Sequence, residues 1–173
     1  MTGDTWRTRP EGPGDVDAEA VRRINVAAFP TAGEADLVDA LRRDPWWLDG
    51  LSHVALGGDG TPVSHALLTR CLIGRAEALC LAPVAVLPDA QRRGAGSAVV
   101  RAVLEAARVR GERCAIVVLG DAAYYPRFGF RRASVHGVLP PMDVPDEAFM
   151  VLPLSDAVRV PSGVVRYAAP FGL

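Results

Sequence analysis

The run Gln91-Arg92-Arg93-Gly94-Ala95-Gly96-Ser97 combines two glycines, two guanidinium groups and the start of a long amphipathic stretch. Glycines at 94 and 96 allow tight turning and close backbone approach, and an arginine pair can neutralise a diphosphate. A helix beginning here would add its unpaired N–H groups and the positive end of its dipole. The chemistry implied is anion binding, most naturally of a phosphate. Taken alone, the same residues also fit a plain glycine-rich loop ahead of a solvated helix. Other phosphate motifs fit worse. A dinucleotide fingerprint wants a third glycine near Val99 and an acid after the next strand, and neither is present. A Walker loop needs a lysine, and the chain has none: all nineteen basic residues are arginine. Schiff-base chemistry is excluded for the same reason. Gly-x-Ser-x-Gly does not occur, so a hydrolase nucleophile is unsupported.

The elements that must position this loop are legible in the flanking pattern. Residues 94–110 carry Val99, Val103 and Ala106 or Ala107 on one face, Arg101, Glu105 and Arg108 on the other, and Gly111 as a stop. Before the loop, residues 76–86 read as a strand interrupted by Pro83, which implies a bulge or splayed edge. After the helix, residues 114–119 read as a buried, parallel-type strand. Upstream, residues 6–9 suggest an edge strand. Asp15 or Asp17 would cap a helix ending at Ala28 or Phe29, and residues 34–43 form a second helix. Residues 51–57 and 62–71 form a hairpin around Gly57-Gly58-Asp59-Gly60. Residues 121–128 suggest a short helix closed by Gly129. Further strands are expected at 130–133, 148–154 and 164–167.

Length and composition bound the rest. The 173 residues, half of them hydrophobic and 23% charged, suit one soluble domain over 1–173 with residues 1–5 flexible. A net charge of −1 offers no basic field for nucleic acid. No apolar run reaches membrane-spanning length and no signal sequence opens the chain, so a cytoplasmic protein is expected. Cys71, Cys80 and Cys114 show no metal-ligand spacing and no disulfide pattern; buried reduced thiols and no bound metal are expected.

Residues 84–96, Val-Ala-Val-Leu-Pro-Asp-Ala-Gln-Arg-Arg-Gly-Ala-Gly, resemble motif A of the GCN5-related N-acetyltransferases (GNAT). Tyr124-Tyr125-Pro126-Arg127-Phe128-Gly129-Phe130 is similar to that family's later Y-x-x-x-G-F motif. Weaker likeness extends over nearly the whole chain, to a bacterial subgroup of N-acetyltransferases. It includes Phe29 with Glu34, Leu37 and Val38, and closes on Gly163, Val165, Tyr167 and Phe171. The asparagine often found early in the fourth helix of the family is missing; Asp121 is the nearest polar residue.

The resemblance implies an α+β fold: a twisted, mostly antiparallel sheet of six to seven strands, with a splayed parallel pair and about four helices. It implies acetyl-CoA as co-substrate, its pantetheine arm against Val84, Ala85 and Val86. The pyrophosphate would lie on Gln91, Arg92, Arg93, Gly94, Ala95, Gly96 and Ser97. Tyr125 matches the family's general acid; a phenol of pKa about 10 suits a leaving thiol of about 8.5. Tyr124 would pack or touch the cofactor. Both tyrosines are also readable as core aromatics. The base is open: Glu34 leads, ahead of His65, His53 and Glu77, with water relay as an alternative.

The function implied is direct acetyl transfer to a primary amine of a small molecule or peptide within a ternary complex. A non-catalytic acyl-CoA sensor and a nucleotide-binding regulatory domain are the alternatives. Asp143, Asp146 and Glu147 offer negative charge to a cationic acceptor or simply form an exposed acidic loop. A homodimer is left open.

Overall fold

The structure is a computed structural model describing residues 5–173; residues 1–4 of the expected flexible start lie outside the described residues. The strands are β1 (Arg7–Pro10), β2 (Ser52–Leu56), β3 (Pro62–Ile73), β4 (Ala76–Val86), β5 (Ala115–Leu119), β6 (Arg131–Arg132), β7 (Val138–Leu139), β8 (Phe149–Pro153) and β9 (Gly163–Arg166). Three α-helices accompany them: α1 (Asp15–Ala28), α2 (Gly33–Leu41) and α3 (Ala95–Arg110). The main sheet order is β1-β2-β3-β4-β5-β8-β6, with β9 joined to the far end of β3 and β7 joined to β9. All pairings in the main path are antiparallel except β4 with β5.

The fold class agrees with expectation, with two corrections of detail among the described residues. There are nine strands rather than six to seven: every strand read from the sequence is present, β6 falling within the expected 130–133, and the two-residue β7 is added. The fourth helix is a single 3-10 turn, Tyr125–Phe128. Gly129, left-handed at φ 99°, ends that turn after four residues, too few to establish an α-helix. The start of α1 also differs. Its N-cap is Gly14, and Asp17 instead accepts from the Gly12 N–H at 2.6 Å and from Arg9 Nη1 at 2.5 Å.

Helix α3 buries Ala95, Val99, Val100, Val103, Leu104 and Ala107, the stripe its 3.6-residue period predicts. All of these but Ala95 pack in one core cluster with Leu68, Leu79, Leu81, Ile116, Val118, Phe130 and Met150. On another part of the sheet, α1 and α2 close Val21, Val38 and Leu41 over Val54 and Leu67. Burial of side chains of this size contributes about 1.5–3 kcal/mol each, which is what fixes α3 as a rigid base for the loop before it.

The bulge implied by Pro83 is present. Leu68 faces Leu81 and Ala66 faces Val84, so Ala82 and Pro83 together oppose Leu67 alone. The splay follows immediately. Strands β4 and β5 are paired only at Leu79 with Ile116 and Cys80 with Val117. Beyond that point β4 stays with β3 as far as Val86, while Val118 and Leu119 pair with β8. The sheet therefore opens a V-shaped gap between residues 81–86 and 118–119.

Candidate active site

A cavity of about 540 Å³ occupies the mouth of this gap, lined by Val84, Val86, Gln91, Arg92, Gly94, Gly96, Ser97, Gly120, Asp121, Tyr124, Tyr125 and Arg127. Its floor is apolar strand. Its rim is the start of α3, whose first helical bond runs from the Ala98 N–H to the Gly94 carbonyl at 3.0 Å. The N–H groups before Ala98 therefore lack helical acceptors and supply the anion-binding end of the helix.

The loop before α3 is held in an uncommon conformation. Arg92 is left-handed at φ 60° and Gly94 at φ 91°. For arginine this costs about 1 kcal/mol or more, so surrounding contacts must maintain it. Gln91 Nε2 donates to the Val86 carbonyl at 3.2 Å and ties the loop to the end of β4. Gly96 has a different constraint: a Cβ there would lie 3.1 Å from Val86 Cγ2 and 3.4 Å from the Tyr124 hydroxyl.

On the opposite wall, Asp121 organises a turn by accepting the Ala123 N–H at 2.7 Å on its carboxylate. The turn presents both tyrosines. Tyr124 Oη sits 3.0 Å from Ser97 Oγ, spanning the cavity to the helix start. Tyr125 packs edge-on against Phe130, its ring so close to Gly120 that a Cβ there would fall 2.4 Å from Cε2. Burial pushes the Tyr125 phenol up to about 12, with Tyr124 and Asp121 adding to the effect. Arg127 lies over the Tyr124 ring at 4.1 Å and donates from Nε to the Tyr124 carbonyl at 2.9 Å.

A helix start at a strand splay, with a phenol kept protonated by burial in the same cavity, is an arrangement that could receive an anion and donate a proton. Comparisons with known proteins identify the family. The family model of the acetyltransferase (GNAT) domain matches residues 52–132. The uncharacterized N-acetyltransferase YjhQ of Escherichia coli is 35% identical over 162 residues, spanning 89% of this chain and 88% of that protein. The chain belongs to the GNAT acetyltransferase family.

Two solved GNAT structures extend the likeness to the fold. The YhbS N-acetyltransferase of Escherichia coli, in complex with CoA, superposes with a TM-score of 0.87 at 27% identity. That match covers 97% of this chain and 92% of the other. A GNAT acetyltransferase of Brucella melitensis, in complex with acetyl-CoA, gives 0.77 at 33% identity, covering 96% and 98%.

Within the GNAT frame, the structure brings most of the sequence-derived residues together, but not all. Val84, Val86, Gln91, Arg92, Gly94, Gly96, Ser97, Tyr124 and Tyr125 line one cavity. Ala85 and Ala95 are buried and do not line it. Arg93 turns away from its neighbour: its guanidinium lies over the Trp6 ring at 5.6 Å and lines an adjacent hollow. Glu34 does not line the cavity. It stands in the first turn of α2, and its Oε2 is buried with no hydrogen-bond partner among the described residues.

The other titratable groups sort by burial. His65 is fully buried, and Asn25 Nδ2 donates to its Nδ1 at 3.1 Å. Its Nε2–H therefore donates to Ser52 Oγ at 3.0 Å, and Ser52 in turn donates to Glu11, which also pairs with Arg42. Desolvation holds His65 down to about 3, so this imidazole is a neutral structural link. His53 is also lowered by burial. The thiols move the other way: burial raises Cys80 to about 12, Cys114 to about 11, and Cys71 well above its usual value. Thiols held protonated in this way are poor nucleophiles. Among the described residues no group of three or more His, Cys, Asp and Glu is placed to hold a metal ion, and no helix is long and apolar enough to cross a membrane.

Sequence reasoning missed Arg127 as a lining residue and Trp6 as a neighbour of the loop. The first carried a weak signal in its position three residues after Tyr124. The second carried none, because 87 residues separate Trp6 from Arg93.

Proposed function

We propose that the cavity binds acetyl-CoA and that the protein transfers its acetyl group directly to a primary amine of a small molecule or peptide. The observation that carries this reading is the coincidence of the β4–β5 gap, the α3 start and Tyr125 in one cavity. The CoA and acetyl-CoA complexes of the two related GNAT structures support it. The pantetheine arm would enter the gap along Val84–Val86, where β4 has lost β5 as a partner. The pyrophosphate would sit on the loop and first turn at 92–97, with Arg92 countering its charge.

In the ternary complex the neutral amine attacks the thioester carbonyl, the C–N bond forms and the C–S bond breaks. A backbone N–H near Val86 would stabilise the oxyanion. Tyr125, protonated throughout the neutral range, would give its proton to the departing thiolate. Glu34 is the base we favour, through an intervening water because it lies outside the cavity lining. Its unpaired buried oxygen supports this choice.

The test is CoA release, followed with a thiol reagent across a panel of peptide N-termini, small amines and aminoglycosides. Turnover with at least one amine is expected. CoA binding without turnover on any of them would favour the sensor alternative, and stabilisation by ATP or NAD but not acetyl-CoA would favour a nucleotide-binding regulator.

A further inference from the structure

We propose that Trp6 is a positioning residue for the pyrophosphate loop, fixing the 93–94 peptide so that the Gly94 N–H faces the bound cofactor. This rests on the acetyl-CoA reading of the cavity. Trp6 immediately precedes β1, which is paired with β2 from Arg7 opposite Leu56 to Pro10 opposite His53. The indole is therefore carried on the sheet itself. From there Nε1–H donates to the Arg93 carbonyl at 2.7 Å.

The stereochemistry of a trans peptide makes this contact directional. Its C=O and N–H point to opposite sides, so holding the Arg93 oxygen on the indole turns the Gly94 N–H away from Trp6. Gly94 lines the cavity. Gly94 also packs on the indole: a Cβ there would make ordinary contacts, 3.6 Å from Trp6 Nε1 and 3.8 Å from Cδ1, and it is φ 91° that disfavours a side chain. The Arg93 guanidinium stacks over the same ring at 5.6 Å, adding a cation–π contact to the grip.

The strained Arg92 shows why such a grip is useful. A loop holding a left-handed arginine needs support from outside itself. Gln91 anchors one side of Arg92 on the end of β4, and Trp6 anchors the other on the edge strand. The two anchors come from opposite ends of the same sheet segment, because β1 and β4 flank β2 and β3.

The experiment compares wild type with Trp6→Phe, which keeps a ring and removes the donor. Isothermal titration with CoA is expected to show affinity weakened about five- to tenfold, the loss of one positioning hydrogen bond. Pantetheine, which has no pyrophosphate, should bind both proteins equally when titrated by NMR. Equal CoA affinities, or equal losses for CoA and pantetheine, would overturn the proposal. If Trp6→Phe is poorly folded, the wild-type protein still decides. Of its three indole N–H resonances, from Trp6, Trp46 and Trp47, the Trp6 signal should shift on adding CoA but not on adding pantetheine. An unmoved Trp6 signal would overturn it. A wild type that does not bind CoA at all would instead overturn the acetyl-CoA reading, and this proposal with it.

Discussion

At the scale of single residues, the proposed mechanism turns on Tyr125. Its ring rests on Gly120, where no side chain would fit, and against Phe130. The same burial that fixes the ring pushes the phenol up to about 12. The acid form is therefore retained across the alkaline range in which a primary amine becomes neutral. The rate should rise with pH as the acceptor deprotonates, with no fall attributable to Tyr125 before about pH 12. Tyr125→Phe should lower kcat about 100-fold in the CoA-release assay while leaving CoA affinity within a few-fold. Unchanged turnover would remove Tyr125 as the acid and shift attention to Tyr124, whose hydroxyl reaches Ser97 across the same cavity.

At the scale of elements, the site exists because two strands part company. Pairing between β4 and β5 lasts for two residue pairs, and Pro83, which has no N–H, sits in a bulge just beyond them. Helix α3 then delivers its N-terminus to the opening, held by its buried stripe. Gly96 keeps helix and strand at the right separation. A larger side chain there would press on Val86 and the Tyr124 hydroxyl. Gly96→Val is accordingly expected to fold, with an unaltered circular dichroism spectrum, and to bind CoA at least about tenfold more weakly by calorimetry. Wild-type affinity in this variant would show that the gap is wider in solution than its geometry implies.

For the whole molecule, the buried chain Asn25–His65–Ser52–Glu11–Arg42 ties α1 through the sheet to the end of α2. Its histidine makes stability depend on pH. The folded-state value is about 3 against an ordinary 6.5, so the unfolded chain binds more protons between these limits. The contribution of neutral His65 is complete above about pH 6.5 and is lost as pH falls toward 3, at up to about 1.4 kcal/mol per pH unit. His65→Gln should be less stable than wild type at pH 7.5 by about 1–3 kcal/mol, from the disturbed hydrogen bonds. The two proteins should converge on acidification to pH 4, as read from urea midpoints. Parallel stability curves would show that His65 does not titrate in this way.

Much of the site was readable because its signals are local. Gly94 and Gly96 before a 3.6-residue apolar stripe, and Pro83 inside a strand, each state a backbone requirement within a few residues. Gly129 likewise marked where the tyrosine turn would stop. By the same token Pro126 and Gly129 left too little room for an α-helix, a detail decided by four residues closing as a 3-10 turn. What the sequence determined by itself is the list of parts: a strand that must bulge, a glycine-rich helix start suited to an anion, and two adjacent tyrosines. Only the tertiary structure decided which parts meet. It set Arg92 in the cavity and Arg93 on Trp6, kept Glu34 out of the lining, and placed the indole that precedes the edge strand against the loop before α3. The physical reason is that such meetings depend on sheet order and packing, which bring together residues as far apart as 6 and 93.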